Sequence, residues 1–330
     1  MTPLLQVEEL STCFATGGRL VPAVREVSFT IHRGEMVGLV GESGCGKSVT
    51  ALSILRLIPD PPGRITGGRI LLNGKDLLQL SDREMRDVRG ARISMVFQDP
   101  FSSLNPTMTL GGQLMEVLRL HSDLRGRAVR DRAVQLLRAV HIPSPEQTLR
   151  RYPHEVSGGQ RQRVLIAMAF AANPDLILAD EPTTALDVTV QAQVLALMAE
   201  LRRTTGAAIL LITHDLGIVA ETCDGVLVMY AGRIVEESDV ESLFRSPQHP
   251  YTEGLLRSLP AVTGPRLRRL PSIPGQPPSP AEVETGCAFA DRCPKVLPHC
   301  RTVIPPRVAT AENRAVRCHL YNPMITSEMS

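Results

Sequence analysis

The chain has 330 residues, with 36 Lys and Arg against 34 Asp and Glu, for a net charge of +2. That balance does not ask for nucleic acid, and with no Trp and 3% aromatics a base-stacking surface for single strands is not expected. No apolar run is long enough to span a bilayer, and the first residues, "MTPLLQVEELSTC", hold two glutamates and no basic stretch of the kind that opens a signal peptide. The expectation is a soluble, cytoplasmic chain.

Taken in order, "EMVGLV" (35–40) reads as a strand, followed by the glycine loop "GESGCGKS" (41–48) and a helical run, "SVTALSILRLI". "ARISMVFQ" (91–98), "DLILADE" (175–181) and "GAAILLITHD" (206–215) are further strand-like runs, with helical patterns between them over 127–140 and 189–203. Strand–helix alternation of this kind predicts an α/β fold with a largely parallel sheet. "VLVMYAGRIVEES" (226–238) predicts a hairpin turning at Ala231-Gly232. Beyond it, "LPAVTGPRLRRLPSIPGQPPSP" (259–280) is rich in proline and basic residues and reads as an extended connector. A main domain over 1–255 and a small extension over 256–330 are therefore expected.

The loop matches G-x-x-x-x-G-K-[ST] between a strand and a helix. Its glycines let successive backbone N–H groups turn toward phosphate, and the helix N-terminus behind it adds a field that favours anions. Gly41, Glu42, Ser43, Gly44, Cys45, Gly46, Lys47 and Ser48, with Thr50 one turn on, form the candidate nucleotide site. Lys47 would reach the β- and γ-phosphates, and Ser48 would ligate Mg²⁺. "LILADE" ends an apolar strand in two carboxylates. Asp180 is suited to Mg²⁺ and Glu181 to polarising the attacking water, although strand-end carboxylates alone can be mere solvated charge. In "VSGGQRQRV" (156–164), Ser157, Gly158, Gly159 and Gln160 open a helix. This is either a simple serine cap or a second phosphate-binding helix start, and the latter would serve a nucleotide held by another subunit.

"SGGQ" ahead of "LILADEPTTALD", with the phosphate loop upstream, resembles the signature of the ATP-binding-cassette ATPases. "MVFQDPFSSLNPTMT", "RYPHEVSGGQRQRV", "LLITHDLGIVAE" and "HPYTEGLLRSLP" narrow the resemblance to the ATPase subunits of bacterial dipeptide and oligopeptide importers, with nickel importers close by. The resemblance implies a P-loop NTPase fold of the cassette type, with a helical subdomain over about 99–172 that docks on membrane subunits. It implies that Gln98 touches Mg²⁺ and senses those subunits, that His214 contacts the γ-phosphate, and that Asp187 lies at a dimer interface. Phe14 is the candidate for stacking on adenine, with packing as the alternative. Head-to-tail pairing with a related ATPase chain is implied, as are two transmembrane permease subunits, an extracytoplasmic binding protein and a place at the cytoplasmic face of the inner membrane. Non-transport cassette ATPases usually carry two cassettes or long coiled coils, and this chain has one loop and one SGGQ.

The extension carries Cys287, Cys293, Cys300 and Cys318 in a C-x5-C-x6-C-x17-C pattern that resembles the C-terminal region of peptide-importer ATPases. Four thiolates suit a [4Fe–4S] cluster or tetrahedral zinc, and the spacing lacks the C-x2-C bite of common zinc sites. His299 and His319 adjoin two of the cysteines as alternative ligands, and thiols packing a small domain without metal are the third reading.

Overall fold

The computed structural model describes residues 2–184, 186–259, 272–279 and 285–322. Most of the proline-rich connector, 260–271, lies outside the described residues. The first elements are β1 (Pro3–Thr16), β2 (Arg19–His32), β3 (Met36–Val40), α1 (Lys47–Ile54), β4 (Gly63–Leu72), β5 (Lys75–Asp76), α2 (Asp82–Val88) and β6 (Ile93–Val96). Helices follow: α3 (Pro100–Ser103), α4 (Leu110–His121), α5 (Arg127–Ala139), α6 (Pro145–Thr148) and α7 (Gly158–Phe170). Then come β7 (Leu176–Asp180), α8 (Val188–Thr205), β8 (Ala208–Thr213), α9 (Leu216–Thr222), β9 (Gly225–Tyr230), β10 (Arg233–Asp239), α10 (Val240–Arg245), α11 (Pro250–Arg257), β11 (Val308–Ala311) and β12 (Arg314–Val316).

The chain forms two compact units. The first comprises 79–211 with 1–4 and 31–35, and the second comprises 5–30, 36–78 and 212–330. In the first unit β6 and β7 pair in parallel, with Ile93 opposite Leu176 and Val96 opposite Ala179. Every residue of β7 is buried, which is why it reads as an unbroken apolar run. Helices α4, α5 and α7 pack on one another. Gly111 comes so close to the Leu149 backbone that a Cβ there would lie 2.4 Å from its carbonyl oxygen.

The second unit contains a feature that strand–helix alternation does not predict. Its N-terminal strands form an antiparallel sheet in the order β2-β1-β4-β5, so the expectation of a largely parallel sheet fails over these residues. The register of β1 on β4 shifts between Glu8 and Ser11, and Glu9 takes a positive φ of 49° there. This bulge breaks the two-residue period that would have marked the strand. In the same unit β3 pairs in parallel with β9, while β9, β10, β12 and β11 follow in antiparallel order. The β9–β10 turn falls at Ala231 and Gly232, both at positive φ, as a tight primed turn needs.

Strands β11 and β12 come from the C-terminal extension, so the extension adds its edge to β10 rather than hanging from a linker. Its Phe289, 2% exposed, packs in one core with Val40, Val228, Tyr230, Leu243 and Tyr251. Glu236 on β10 is fully buried, and its carboxylate accepts the N–H groups of Gln248 (2.8 Å) and His249 (2.8 Å). His249 in turn caps α11, its Nδ1 accepting the Tyr251 N–H at 3.0 Å.

Burial pushes the His249 imidazole down to about 3, so it is neutral in the fold. The unfolded chain takes up a proton near pH 6.5 that the native state refuses, so this residue favours folding above that pH and less as pH falls toward 3. His249→Asn keeps a capping oxygen without the titration. Urea unfolding should show wild-type stability, relative to this variant, falling by about 2 kcal/mol between pH 7 and pH 5.

Candidate functional site

The Gly41–Ser48 loop leaves the buried strand β3 and enters α1. Gly44 and Gly46 take positive φ of 80° and 108°. A Cβ at Gly46 would lie 2.5 Å from the Ala23 carbonyl oxygen, and one at Gly41 would lie 2.2 Å from that of Met229. Only glycine fits either place. The Lys47 ammonium lies within the loop, donating to the carbonyls of Gly41 (2.8 Å) and Glu42 (3.0 Å). Ser43 and Gly44 form the exposed tip, and Ser48 is half-buried in the first turn of α1. Thr50 is fully buried and donates its hydroxyl to the Gly46 carbonyl at 2.9 Å. Cys45 is 6% exposed, and burial pushes its thiol above the ordinary range. An arrangement of glycine N–H groups, a lysine and a helix N-terminus can hold a polyphosphate.

In the first unit the parallel pairing of β6 and β7 brings their C-terminal loops to one edge. Gln98 and Glu181 meet there across 83 residues of sequence, with the Gln98 amide donating to Glu181 Oε2 at 3.0 Å. Thr184 donates its hydroxyl to the same oxygen at 2.8 Å. Asp180 is 5% exposed at the strand end, and Glu181 takes a φ of 45°, a left-handed backbone uncommon outside glycine. Ser157 is the N-cap of α7 in a reciprocal box: its Oγ accepts the Gln160 N–H (3.3 Å), and the Gln160 side chain accepts the Ser157 N–H (3.2 Å). Gly158 and Gly159 fill the first turn of α7. Asp187 caps α8 by accepting the Val190 N–H at 2.9 Å and stays exposed.

His214 follows β8 and is exposed, beside Asp215, which caps α9. Phe14 lies near the end of β1 opposite Gly63 on β4, where a Cβ added to Gly63 would come 2.7 Å from its ring. Packing on β4 is the contact this ring makes.

Two residues that sequence reasoning missed reach the phosphate loop. The Glu42 N–H donates to the Tyr251 hydroxyl at 3.0 Å, and the Glu42 carboxylate receives both guanidinium arms of Arg292, at 2.6 and 2.9 Å. No spacing rule finds a partner 250 residues away. Arg292 precedes Cys293 in the four-cysteine lobe. There, two of the four sulfurs accept backbone N–H groups: Cys293 from Lys295 (3.4 Å) and Cys300 from Leu297 (3.4 Å). Burial pushes the Cys287 thiol up to about 12 and that of Cys318 up to about 11. Both are neutral at pH 7 unless a metal displaces the proton. His299 and His319 stack edge-on at 4.6 Å. His319 Nε2 lies 2.8 Å from the Val303 carbonyl, while His319 Nδ1 and His299 Nε2 are buried without a partner. Among the described residues, His299, Cys300 and His319 are the group whose ligand atoms lie within 4.8 Å of one another.

A family profile described as ABC transporter matches residues 24–184, and one described as Oligopeptide/dipeptide transporter, C-terminal region, matches 235–300. A probable peptide ABC transporter ATP-binding protein of Sinorhizobium fredii is 49% identical over 322 residues, covering 98% of this chain and 96% of its own length. An oligopeptide transport ATP-binding protein of Bacillus subtilis is 49% identical, with 97% and 98% covered, and a dipeptide transport ATP-binding protein of that organism is 48% identical, with 98% and 96% covered. A solved dimeric ATP-binding cassette in a post-hydrolysis state bound to ADP and Pi superposes with a TM-score of 0.64 at 27% identity, over 72% of this chain and 98% of its own.

The burial of Cys45 sets an order of reactivity, because the thiolate is the attacking species and both access and ionisation are reduced at that site. In the folded protein at pH 7, N-ethylmaleimide should modify Cys45 at least about 10-fold more slowly than the half-buried Cys13. Peptide mapping of a timed reaction measures both.

Proposed function

The chain belongs to the ATP-binding subunits of ABC transporters, in the oligopeptide/dipeptide branch, and from that membership we propose how its residues divide the work of ATP-driven peptide import. It is an ABC-type ATPase, and its fold is that of the P-loop cassette with a cysteine-bearing C-terminal extension. The observation that carries the assignment of the ATP site is the Gly41–Ser48 loop, closed around the Lys47 ammonium.

In this reading Gly41, Glu42, Ser43, Gly44, Cys45, Gly46, Lys47 and Ser48 bind ATP, with Thr50 bracing the loop from behind. Ser48, Gln98 and Asp180 would hold the Mg²⁺ that accompanies ATP, and the ion would neutralise phosphate charge. Glu181 orients and polarises water, and His214 contacts the γ-phosphate. The Gln98 amide on Glu181 supports this role, because a side chain that also senses the transporter could release or hold the base. Ser157, Gly158, Gly159 and Gln160 serve the ATP of a second subunit, a related but different chain, with Asp187 at their interface. Nucleotide then bridges the pair and hydrolysis parts it. The helices between 99 and 172 dock on the transmembrane permease subunits. Among the described residues no helix is long and apolar enough to cross a membrane, and peripheral attachment at the cytoplasmic face would follow from docking on the permease subunits. Peptide, rather than nickel, is favoured as cargo by the names of the similar chains and by the match of the extension.

The residues 1–255 act as the motor, and 256–330 as a lobe that holds a metal centre. The donor set fits a [4Fe–4S] cluster. The four cysteines belong to one lobe, and the Cys293 and Cys300 sulfurs accept backbone N–H groups, as cluster thiolates do. Cys287, Cys293, Cys300 and Cys318 would hold the cluster, which would supply structural or redox-sensitive cross-linking and no hydrolytic chemistry. A second reading is zinc on His299, Cys300 and His319, favoured by the two orphaned imidazole nitrogens.

Glu181→Gln should bind ATP as the wild type does and hydrolyse it about 10²–10⁴-fold more slowly. Single-turnover hydrolysis in the reconstituted transporter, with the other half-site inactivated, checks this, and an unchanged rate would overturn the role. Anaerobic purification should give about four irons and four acid-labile sulfides per chain, lost on Cys287→Ser. Zinc alone would support the second reading, and a protein with neither would overturn both.

A further inference from the structure

Arg292 is 7% exposed, in a lobe where surface arginines would be ordinary. Its guanidinium makes four hydrogen bonds. One arm donates to Glu42 Oε2 (2.6 Å) and the Tyr230 hydroxyl (3.2 Å), the other donates to Glu42 Oε1 (2.9 Å), and Nε donates to the Pro274 carbonyl (2.9 Å). The rings of Tyr230 and Phe289 lie 5.8 and 5.9 Å from its central carbon. A buried guanidinium costs much desolvation unless its donors are matched, and here one carboxylate matches both arms. That carboxylate belongs to the second residue of the phosphate loop. The Glu42 N–H is held by the buried Tyr251 hydroxyl, and the Glu42 carbonyl accepts from Lys47. The lobe therefore grips Glu42 by its side chain, the core grips its N–H, and the lysine that must meet phosphate rests on its carbonyl. Arg292 is bonded directly to Cys293 in sequence, one residue from the cysteine set.

We propose that Arg292 is a positioning residue for nucleotide binding: through its fork on Glu42 it sets the phosphate loop, and it makes ATP affinity depend on the integrity of the four-cysteine lobe. The proposal rests on the reading that Gly41–Ser48 binds ATP. Arg292 itself touches no nucleotide. Its effect falls on binding, while Glu181 and His214 are left as they are. Lysine cannot replace it, since one ammonium cannot engage both carboxylate oxygens.

The test is titration of the full-length, anaerobically purified chain with a fluorescent ATP analogue. Arg292→Gln and the isosteric Glu42→Gln should each weaken binding about 10-fold, and the double variant should be no weaker than either alone, because one contact is lost in all three. Arg292→Lys should fail to restore affinity. In steady-state ATPase assays of the assembled transporter the loss should appear in KM with kcat kept. Cys300→Ser, which perturbs the lobe at a buried sulfur, should weaken binding in the wild-type background and add nothing to Arg292→Gln. Wild-type affinity in Arg292→Gln, additive losses in the double variant, or an equal effect of Cys300→Ser in both backgrounds would each overturn the coupling. A wild-type chain that binds no nucleotide would overturn the reading of the loop itself, and the coupling with it.

Discussion

A loop that binds phosphate through its backbone must keep its N–H groups open and its carbonyls engaged elsewhere, and the rest of the second unit is arranged around that requirement. At Gly41 and Gly46 the chain passes within a methyl group's reach of the Met229 and Ala23 carbonyls, so no side chain can enter. The Cys45 carbonyl accepts the Gly232 N–H at 2.8 Å, which ties the loop to the β9–β10 turn. The Gly41 and Glu42 carbonyls, nearest the start of the loop, accept from the Lys47 ammonium. The loop is thus braced by neighbours on its outer side and open along the side that would meet a nucleotide.

The C-terminal extension is part of this bracing. Phe289 sits in the same core as Tyr230 and Tyr251, with ring centroids 5.3 and 5.4 Å away, and β12 extends the sheet beyond β10. Through Phe289 the extension shares a core with the motor. Cys287 and Cys293 pack against the core that holds Tyr230 and Phe289.

Legibility followed burial on both faces. β3, β7 and β8 were readable because every residue in each is buried and nearly all are apolar, Asp180 and Thr213 standing at the strand ends, and the hairpin because Ala231-Gly232 interrupts two apolar runs. β1 and β2 were not, since each carries a glutamate at positive φ, Glu9 and Glu26, where the alternation slips. β6 is shorter than the run 91–98 suggested, ending at Val96, with Phe97 and Gln98 turned out to solvent. The cap that Ser157 provides was visible as one of two readings of its motif. The capping role of Asp187 was not.

What the sequence by itself determined are the features encoded in contiguous residues: the phosphate loop, the strand-end carboxylates, the SGGQ helix start and the quartet of cysteines. Local spacing specifies local backbone geometry, and these motifs are local. Only the tertiary structure decided which of these groups touch. It set Gln98 against Glu181 by the parallel register of two strands, folded the extension into the core, and joined Arg292 to Glu42. Burying a charge obliges it to find an opposite charge, but the partner is whichever residue the packing delivers, and sequence distance carries no record of that.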